Sequence, residues 1–141
     1  MTEIANELSF DDIFIGQKES FSKKITESMV DEFSNFSGDL NPLHMNDKYA
    51  GSSKFGKRIV HGMLLASFFS QLIGMKLPGK NALYFSQTLN FCSPCYIDDE
   101  IQVNGVVTEK SDSIRIITIS TSILNESGTC LIDGVAKVIV R

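Results

Sequence analysis

The run IVHGMLLASFFSQLIGM, residues 59–75, constrains the fold most, because it is apolar on nearly every side of a helix. Such a helix must be covered all round, either by lipid or by the rest of a soluble protein. The run is at the short end for a membrane span, and four polar residues interrupt it: His61, Ser67, Ser70 and Gln71. The sequence therefore predicts a buried central helix that begins near His61-Gly62 and ends before Leu77.

Four segments after this helix have the composition of β-strands, since they are rich in Val, Ile, Thr and Phe. They cover residues 82–91, 100–109, 113–124 and 129–140. Strands that follow one another through short links form a largely antiparallel sheet. One long buried helix with such a sheet predicts an α+β domain, in which a strongly curved antiparallel sheet wraps around the helix. Apolar residues on both faces of segment 113–124 also favour a homo-oligomer.

The segment before the central helix is predicted to add one strand and one helix. Residues 17–25, QKESFSKKI, have the exposed lysines of an edge strand. Thr26 is a suitable N-cap for the next helix, whose apolar residues recur at helical spacing as far as Phe36. This helix should end before Ser37-Gly38.

The stretch FSGDLNPLHMN, residues 36–46, carries the candidate chemistry. Gly38 permits a positive φ, and the proline after Asn41 keeps that residue extended and stops a helix that arrives from the N-terminal side. The stretch is therefore predicted to be a stiff, non-helical loop on which Asp39 and His44 converge. A carboxylate beside an imidazole can hold a water and move protons near neutral pH.

The size and charge of the chain limit the classes of function. Its 141 residues suffice for one domain over residues 1–141, with an N-terminal extension over 1–10 that can be flexible. The net charge of -4 argues against a nucleic-acid or membrane partner. The polar, acidic start is not a signal peptide, and three cysteines, an odd number, favour a reduced cytoplasmic setting.

Cys92 and Cys95 have the CxxC spacing of a redox pair. A redox pair of that kind lies at the start of a helix that follows a strand, where the helix N-terminus lowers the thiol pKa. Here the turn sequence YIDD, residues 96–99, follows instead. Buried structural cysteines are therefore a better interpretation than a redox or metal-binding pair.

At this point the chain resembles a known family. SGDLNPLH and KFGKRIVHGMLLASFFSQLIG resemble the MaoC-like (R)-specific enoyl-CoA hydratases, and LPGKNALYFSQTLNFCSPCYIDDEI follows the same pattern. The likeness covers nearly the whole chain and is greatest to the short bacterial hydratases that feed polyhydroxyalkanoate synthesis. It implies a hot-dog fold, a homodimer, and a lyase that adds water reversibly to trans-2-enoyl-CoA to give (R)-3-hydroxyacyl-CoA. It implies no metal or redox cofactor, and coenzyme A enters as part of the substrate.

The resemblance also implies roles for particular residues. Asp39 and His44 match the family's catalytic pair, which holds the water, and Asn41 belongs to the same active-site loop. Gly62 matches the position whose backbone N–H polarises the thioester carbonyl. The start of a long helix suits that role, because its N–H groups are unpaired and the helix dipole favours an anion there.

Residues that contact the rest of the substrate are also predicted. A basic group before the central helix, which is either a phosphate-binding patch for coenzyme A or a solvated loop, consists of Lys54, Lys57 and Arg58. Met63 is a core residue that is also a candidate for the acyl pocket. His61 is expected to have a structural role at the start of the helix.

Three rival functions remain open from the sequence. A dehydratase acting on acyl-carrier-protein thioesters would use the same chemistry with a protein partner and a basic docking patch. A hot-dog thioesterase would hydrolyse the thioester and release free thiol. A non-catalytic acyl-thioester-binding module would have no need of the intact Asp39 and His44 pair.

Overall fold

The computed structural model describes residues 3–141, and its strands form one antiparallel sheet around a central helix, which confirms the predicted α+β hot-dog architecture. The helices are α1 (Glu27–Ser37), α2 (Pro42–Met45), α3 (Asp47–Gly51) and α4 (Gly62–Gln71). The strands are β1 (Lys18–Lys24), β2 (Ala82–Gln87), β3 (Asn90–Phe91), β4 (Glu100–Ser111), β5 (Ile116–Asn125) and β6 (Cys130–Val140). The order across the sheet is β1-β4-β5-β6-β2, and β3 also pairs with β6. Within residues 3–141, none of the helices has the length and apolar character that crossing a membrane requires.

The central helix α4 begins at Gly62, as predicted, and continues as a π-helical turn, Leu72–Lys76, that ends before Leu77. The core-facing residues of this helix and turn are Leu64, Leu65, Phe69, Leu72 and Ile73. The opposite face is open, because Met63 is 57% exposed and Ser67 and Ser70 are exposed beside it. The predictions that the helix is buried on every side and that Met63 is a core residue are therefore wrong for the single chain.

The N-terminal segment is tied to the end of the central helix. The Asn6 N–H donates to the Met75 carbonyl at 2.8 Å, and the Asn6 carbonyl accepts from the Lys80 N–H at 2.7 Å. Phe10 is buried in the core beside Ile73. The predicted extension is thus docked on the domain from Asn6 onward, while residues 1–2 lie outside the described part of the chain.

The segment predicted as one strand over residues 82–91 forms two strands, β2 and β3. At the break, the backbone of Thr88 approaches Gly134 so closely that a Cβ on this glycine would lie 1.8 Å from the Thr88 oxygen. The Thr88 hydroxyl also accepts a hydrogen bond from the Val135 N–H at 2.9 Å. This close approach of two backbones requires glycine at position 134.

Strand β6 contains a bulge near its start. Its register with β5 shifts between Ile132 and Cys130, so that Leu131 is an extra residue. Leu131 and Ile132 are both buried, whereas a regular strand would bury only one of two neighbours. Cys130 and Asp133, three positions apart, are consequently both partly exposed to solvent.

Candidate active site

Helix α1 delivers the chain to the site. The Thr26 side chain caps its start, as predicted, by accepting a hydrogen bond from the Met29 N–H at 3.2 Å. Gly38 has a φ of 81°, and its N–H donates to the Ser34 carbonyl at 2.9 Å, which ends the helix. Glycine adopts this φ without strain, so Gly38 turns the chain toward Asp39.

The loop after α1 is shorter than predicted, because it covers only residues 38–41 before α2 begins. The side-chain oxygen of Asn41 accepts from the Leu43 N–H at 2.9 Å and caps α2, in which Pro42 is the first residue. Proline restricts the residue before it but fits the first turn of a helix, so the expectation of a non-helical stretch is wrong from Pro42 onward. His44 lies on this helical turn, and the Asn41 oxygen holds the turn in shape through its bond to Leu43.

Asp39 and His44 converge, as the sequence predicted. Oδ2 of Asp39 lies 4.0 Å from Nε2 of His44. The Nδ1 of His44 donates to the Ile59 carbonyl at 2.8 Å, since a carbonyl oxygen can only accept. In the neutral ring, Nε2 therefore keeps its lone pair. The gap is too wide for a direct hydrogen bond, and one water about 2.8 Å from each group fits it.

His61 is buried against His44 and joins the loop to α1. Its Nε2 lies 3.1 Å from the Asp39 carbonyl oxygen and 3.0 Å from the Ser34 hydroxyl. That hydroxyl donates to the sulfur of Met45 at 2.8 Å, so His61 Nε2–H is the donor to both oxygens. The ring centres of His44 and His61 are 4.0 Å apart, which places the two imidazoles in a stack.

The His61 ring is neutral in this environment. Burial lowers its pKa first, and the neighbouring His44 lowers it further, although the hydrogen bond to the Asp39 carbonyl acts in the opposite direction. Its Nδ1 is buried and has no hydrogen-bond partner among residues 3–141, which a protonated ring would tolerate poorly. These contacts agree with the structural role predicted for His61.

Arg58, predicted to belong to the phosphate-binding patch, points its guanidinium toward α1. Its side chain is only 7% exposed, and its guanidinium donates to Glu27 at 2.9 Å and to Asp31 at 3.3 Å. Its Nε also donates to the His44 carbonyl. Two carboxylates on α1 thus neutralise Arg58, which holds α1 against α2 and fixes the backbone of His44.

Lys54 and Lys57 remain exposed, as a phosphate-binding role requires. The Lys54 ammonium lies 5.2 Å from the centre of the Phe55 ring. The Lys57 ammonium lies 4.6 Å from the centre of the Tyr96 ring, and the Tyr96 hydroxyl donates to the Phe55 carbonyl at 3.3 Å. Both positive charges are therefore held on the same short loop, next to a residue that lines a cavity.

That cavity, of about 350 Å³, contains Gly62 in its wall together with Phe55 and Phe91. Gly62 is the first residue of α4, so its N–H has no partner within the helix. A Cβ on Gly62 would lie 2.5 Å from Cδ1 of Phe91, so the ring packs directly on the glycine. Sequence reasoning missed Phe91, because its contact depends on the break between β2 and β3.

A second cavity, of about 440 Å³, lies along the open face of α4. Its wall includes Met63, as predicted for the acyl pocket, together with Phe33, Ser70 and Leu89. Phe33 also lies against His61, with ring centres 4.9 Å apart. The apolar cavity thus begins beside the stacked imidazoles.

The cysteines are arranged differently from the prediction. Cys95 is buried, and burial raises the pKa of its thiol to about 12, which makes it an inert structural residue, as expected. Cys92 is exposed, so the expectation of a buried thiol is wrong for this residue. Its neighbouring thiol is Cys130 on β6.

Comparison with known proteins agrees with this geometry. The family model described as "MaoC like domain" matches residues 14–127. An (R)-specific enoyl-CoA hydratase from Aeromonas caviae is 38% identical over 131 residues, which cover 93% of this chain and 98% of that protein. A protein of the same name from Rhodospirillum rubrum is 39% identical over 93% of this chain and 90% of that protein. The unliganded structure of R-hydratase PhaJ1 from Pseudomonas aeruginosa has a TM-score of 0.92 at 32% identity, covering 96% of this chain and 87% of that one.

Proposed function

The chain belongs to the MaoC-like domain family, and we propose that it is an (R)-specific enoyl-CoA hydratase, a lyase that adds water reversibly to trans-2-enoyl-CoA. The product is the (R)-3-hydroxyacyl-CoA. The observation that carries this proposal is the 4.0 Å gap between Asp39 Oδ2 and His44 Nε2. Two acceptors at that spacing hold one water by its two hydrogens, and His61, which stacks on His44, is followed directly by Gly62.

Hydration of an enoyl thioester is a conjugate addition. The water oxygen bonds to C3, negative charge builds on the thioester oxygen, and C2 receives a proton. Asp39 takes the proton from the attacking water, His44 orients that water, and the pair returns the proton to C2, so that the atoms balance. General acid–base catalysis of this kind contributes about 10²–10⁴-fold to the rate.

The developing enolate oxygen needs a hydrogen-bond donor. The Gly62 N–H lies at the start of α4, where the helix dipole favours negative charge. A preorganised donor to such an oxygen contributes about 3 kcal/mol to the transition state. The absence of a side chain at Gly62 lets the Phe91 ring pack against the start of the helix beside this N–H.

The substrate is held at both ends of the site. Lys54 and Lys57, which are exposed beside the first cavity, contact the phosphates of coenzyme A. Met63 and the apolar cavity along α4 receive the acyl group. No metal or redox cofactor takes part in this reaction, because the proton and the donor come from the protein.

A homodimer in the cytoplasm completes the proposal. Within residues 3–141, one edge of β2 has no strand partner. Leu83 and Phe85 on β2 are exposed, as is Met63 on α4. A second copy of the chain that paired with this edge would cover all three apolar residues. Sedimentation of the purified protein at micromolar concentration tests this, and a monomer at all concentrations would contradict it.

The activity is tested by following the absorbance of the conjugated enoyl thioester in crotonyl-CoA and in longer enoyl-CoAs, with a thiol reagent in a parallel sample. We expect the absorbance to fall without release of thiol. An (R)-specific 3-hydroxyacyl-CoA dehydrogenase should oxidise the product, and an (S)-specific one should not. Thiol release would indicate a thioesterase. A reaction with acyl-carrier-protein thioesters but none with CoA thioesters would indicate the carrier-protein dehydratase.

A further inference from the structure

A second cluster of reactive side chains lies outside the active site. The sulfurs of Cys92 and Cys130 and a carboxylate oxygen of Asp133 lie within 4.8 Å of one another, and we call these three residues the thiol cluster. The β6 bulge at Leu131 brings the cluster together. In a regular strand, residues three apart face opposite sides, but the extra residue leaves Cys130 and Asp133 facing Cys92 together.

We propose that the thiol cluster binds a thiophilic divalent cation such as Zn²⁺ through two thiolates and one carboxylate oxygen. Zn²⁺ accepts sulfur and oxygen ligands in a tetrahedral arrangement, and the fourth position is open to water. Bonds of about 2.0–2.3 Å place such ligand atoms about 3.3–3.8 Å apart. The cluster, at no more than 4.8 Å, therefore contracts by about 1.5 Å at most, and the exposed Cys92 side chain is free to rotate by that amount.

The surroundings of the carboxylate fit a ligand. The Asn90 amide donates to Oδ1 of Asp133 at 2.9 Å, which orients the group and leaves its second oxygen for the cation. Hydrogen bonds of this kind commonly hold metal-ligating carboxylates in place. The Cys92 N–H donates to the Leu131 carbonyl at 2.8 Å, so the backbone that carries the first thiol is fixed to β6.

The charges in the cluster also favour a cation. Two thiols and a carboxylate, each of which becomes negative on losing a proton, lie within 4.8 Å of one another. A divalent cation would stabilise their charged forms.

The site would tie β3 to β6. Cys92 directly follows Phe91, whose ring packs on Gly62. A cation between Cys92 on one side and Cys130 and Asp133 on the other would hold that ring over the first cavity. The cation takes no part in the hydration reaction, so this proposal stands apart from the proposed activity.

The test uses Cd²⁺ with the full-length protein and a non-thiol reductant, because thiolate-to-Cd²⁺ charge transfer absorbs in the ultraviolet. We expect one Cd²⁺ per chain with a thiolate band that Zn²⁺ displaces, and loss of the band in Cys92→Ser and in Cys130→Ser. Cys95→Ala is the matched control and keeps the band, since Cys95 lies outside the cluster. Asn90→Ala weakens binding by about 10-fold through loss of its hydrogen bond to Asp133.

Three results would overturn the proposal. The first is the absence of a thiolate band in the reduced wild-type protein. The second is a band that persists in Cys92→Ser or Cys130→Ser. The third is Cd²⁺ binding that disappears only in Asp39→Asn, which would place the cation at the active site. Circular dichroism of each variant shows that it is folded, and both serine variants replace thiols that are at least partly exposed.

Discussion

Two groups of three potential ligand side chains occur in residues 3–141, and they differ in how the protein orients them. One is the thiol cluster, and the other, which we call the histidine cluster, consists of Asp39, His44 and His61. In the histidine cluster, backbone carbonyls accept from one nitrogen of each ring, at Ile59 and at Asp39. In the thiol cluster, β6 and the backbone bond from Cys92 to Leu131 set the positions of the sulfurs, and one amide orients the carboxylate.

The difference teaches that proximity alone does not decide the chemistry. The two imidazoles stack at 4.0 Å with their planes 30° apart, and one nitrogen of each ring is bound to a backbone carbonyl. These hydrogen bonds fix the tautomers, which suits a site that holds water and moves protons. The thiols are single-atom ligands on short side chains and can turn toward a common cation.

The largest expected effect tests the proton chemistry of the histidine cluster. Asp39→Asn and His44→Ala each remove one acceptor for the water, so kcat should fall by about 10²–10⁴-fold while the chain stays folded. Initial rates with crotonyl-CoA measure the loss, and circular dichroism checks the fold. Asp112→Asn, an exposed acid in the turn between β4 and β5, is the control and keeps wild-type rates. Full activity in either active-site variant would remove that residue from the mechanism.

The next effect concerns the donor at the start of α4. Gly62→Ala places a Cβ 2.5 Å from the Phe91 ring, so either the ring or the start of the helix must move. We expect kcat/KM to fall by about 10-fold or more, because the N–H is displaced from the thioester oxygen. Adding Phe91→Ala removes the clash and should restore part of the rate.

Gly74→Ala is the matched control for this prediction. It changes another glycine in the same helical stretch, and a Cβ there meets no atom within 4 Å. Its rates should equal those of the wild type. If Gly62→Ala is as active as Gly74→Ala, catalysis does not depend on the exact position of the Gly62 N–H.

The sequence was sufficient to predict the parts of the site that depend on local chemistry. Thr26 caps α1, Gly38 ends it, and Asp39 meets His44, because caps, positive φ and a short loop are properties of neighbouring residues. The start of α4 at Gly62 was also predicted, since it follows from the apolar run.

The sequence could not predict features that depend on tertiary pairing. The burial of Arg58 requires two acids from α1, Glu27 and Asp31, which precede it by 31 and 27 positions. The contact of Phe91 with Gly62 and the convergence of Cys130 with Cys92 depend on a strand break and a bulge, which composition does not reveal. The open face of α4 was missed because an apolar helix was assumed to be covered by its own chain.

A smaller effect tests whether His61 positions Asp39. His61→Phe keeps a ring against His44 but removes the donor to the Asp39 carbonyl, so we expect about 1–3 kcal/mol less stability and a kcat about 10-fold lower, with KM little changed. His61→Gln offers an amide donor and should recover part of both losses. Urea unfolding and initial rates measure them. Equal kcat in the wild type and both variants would show that the loop keeps Asp39 in place by itself.

The smallest effect is a pH dependence that belongs to the histidine cluster. Burial lowers the pKa of His61 below its ordinary 6.5, so the unfolded chain binds a proton that the folded chain does not. The stability that comes from keeping His61 neutral is therefore fully present above about pH 6.5. It declines as the pH falls toward the lowered pKa of the folded chain, by at most about 1.4 kcal/mol per pH unit. The slope from urea unfolding between about pH 7 and about pH 5 should be flatter in His61→Gln. Identical slopes would mean that His61 binds its proton as readily in the folded chain as in the unfolded chain, so that burial does not lower its pKa.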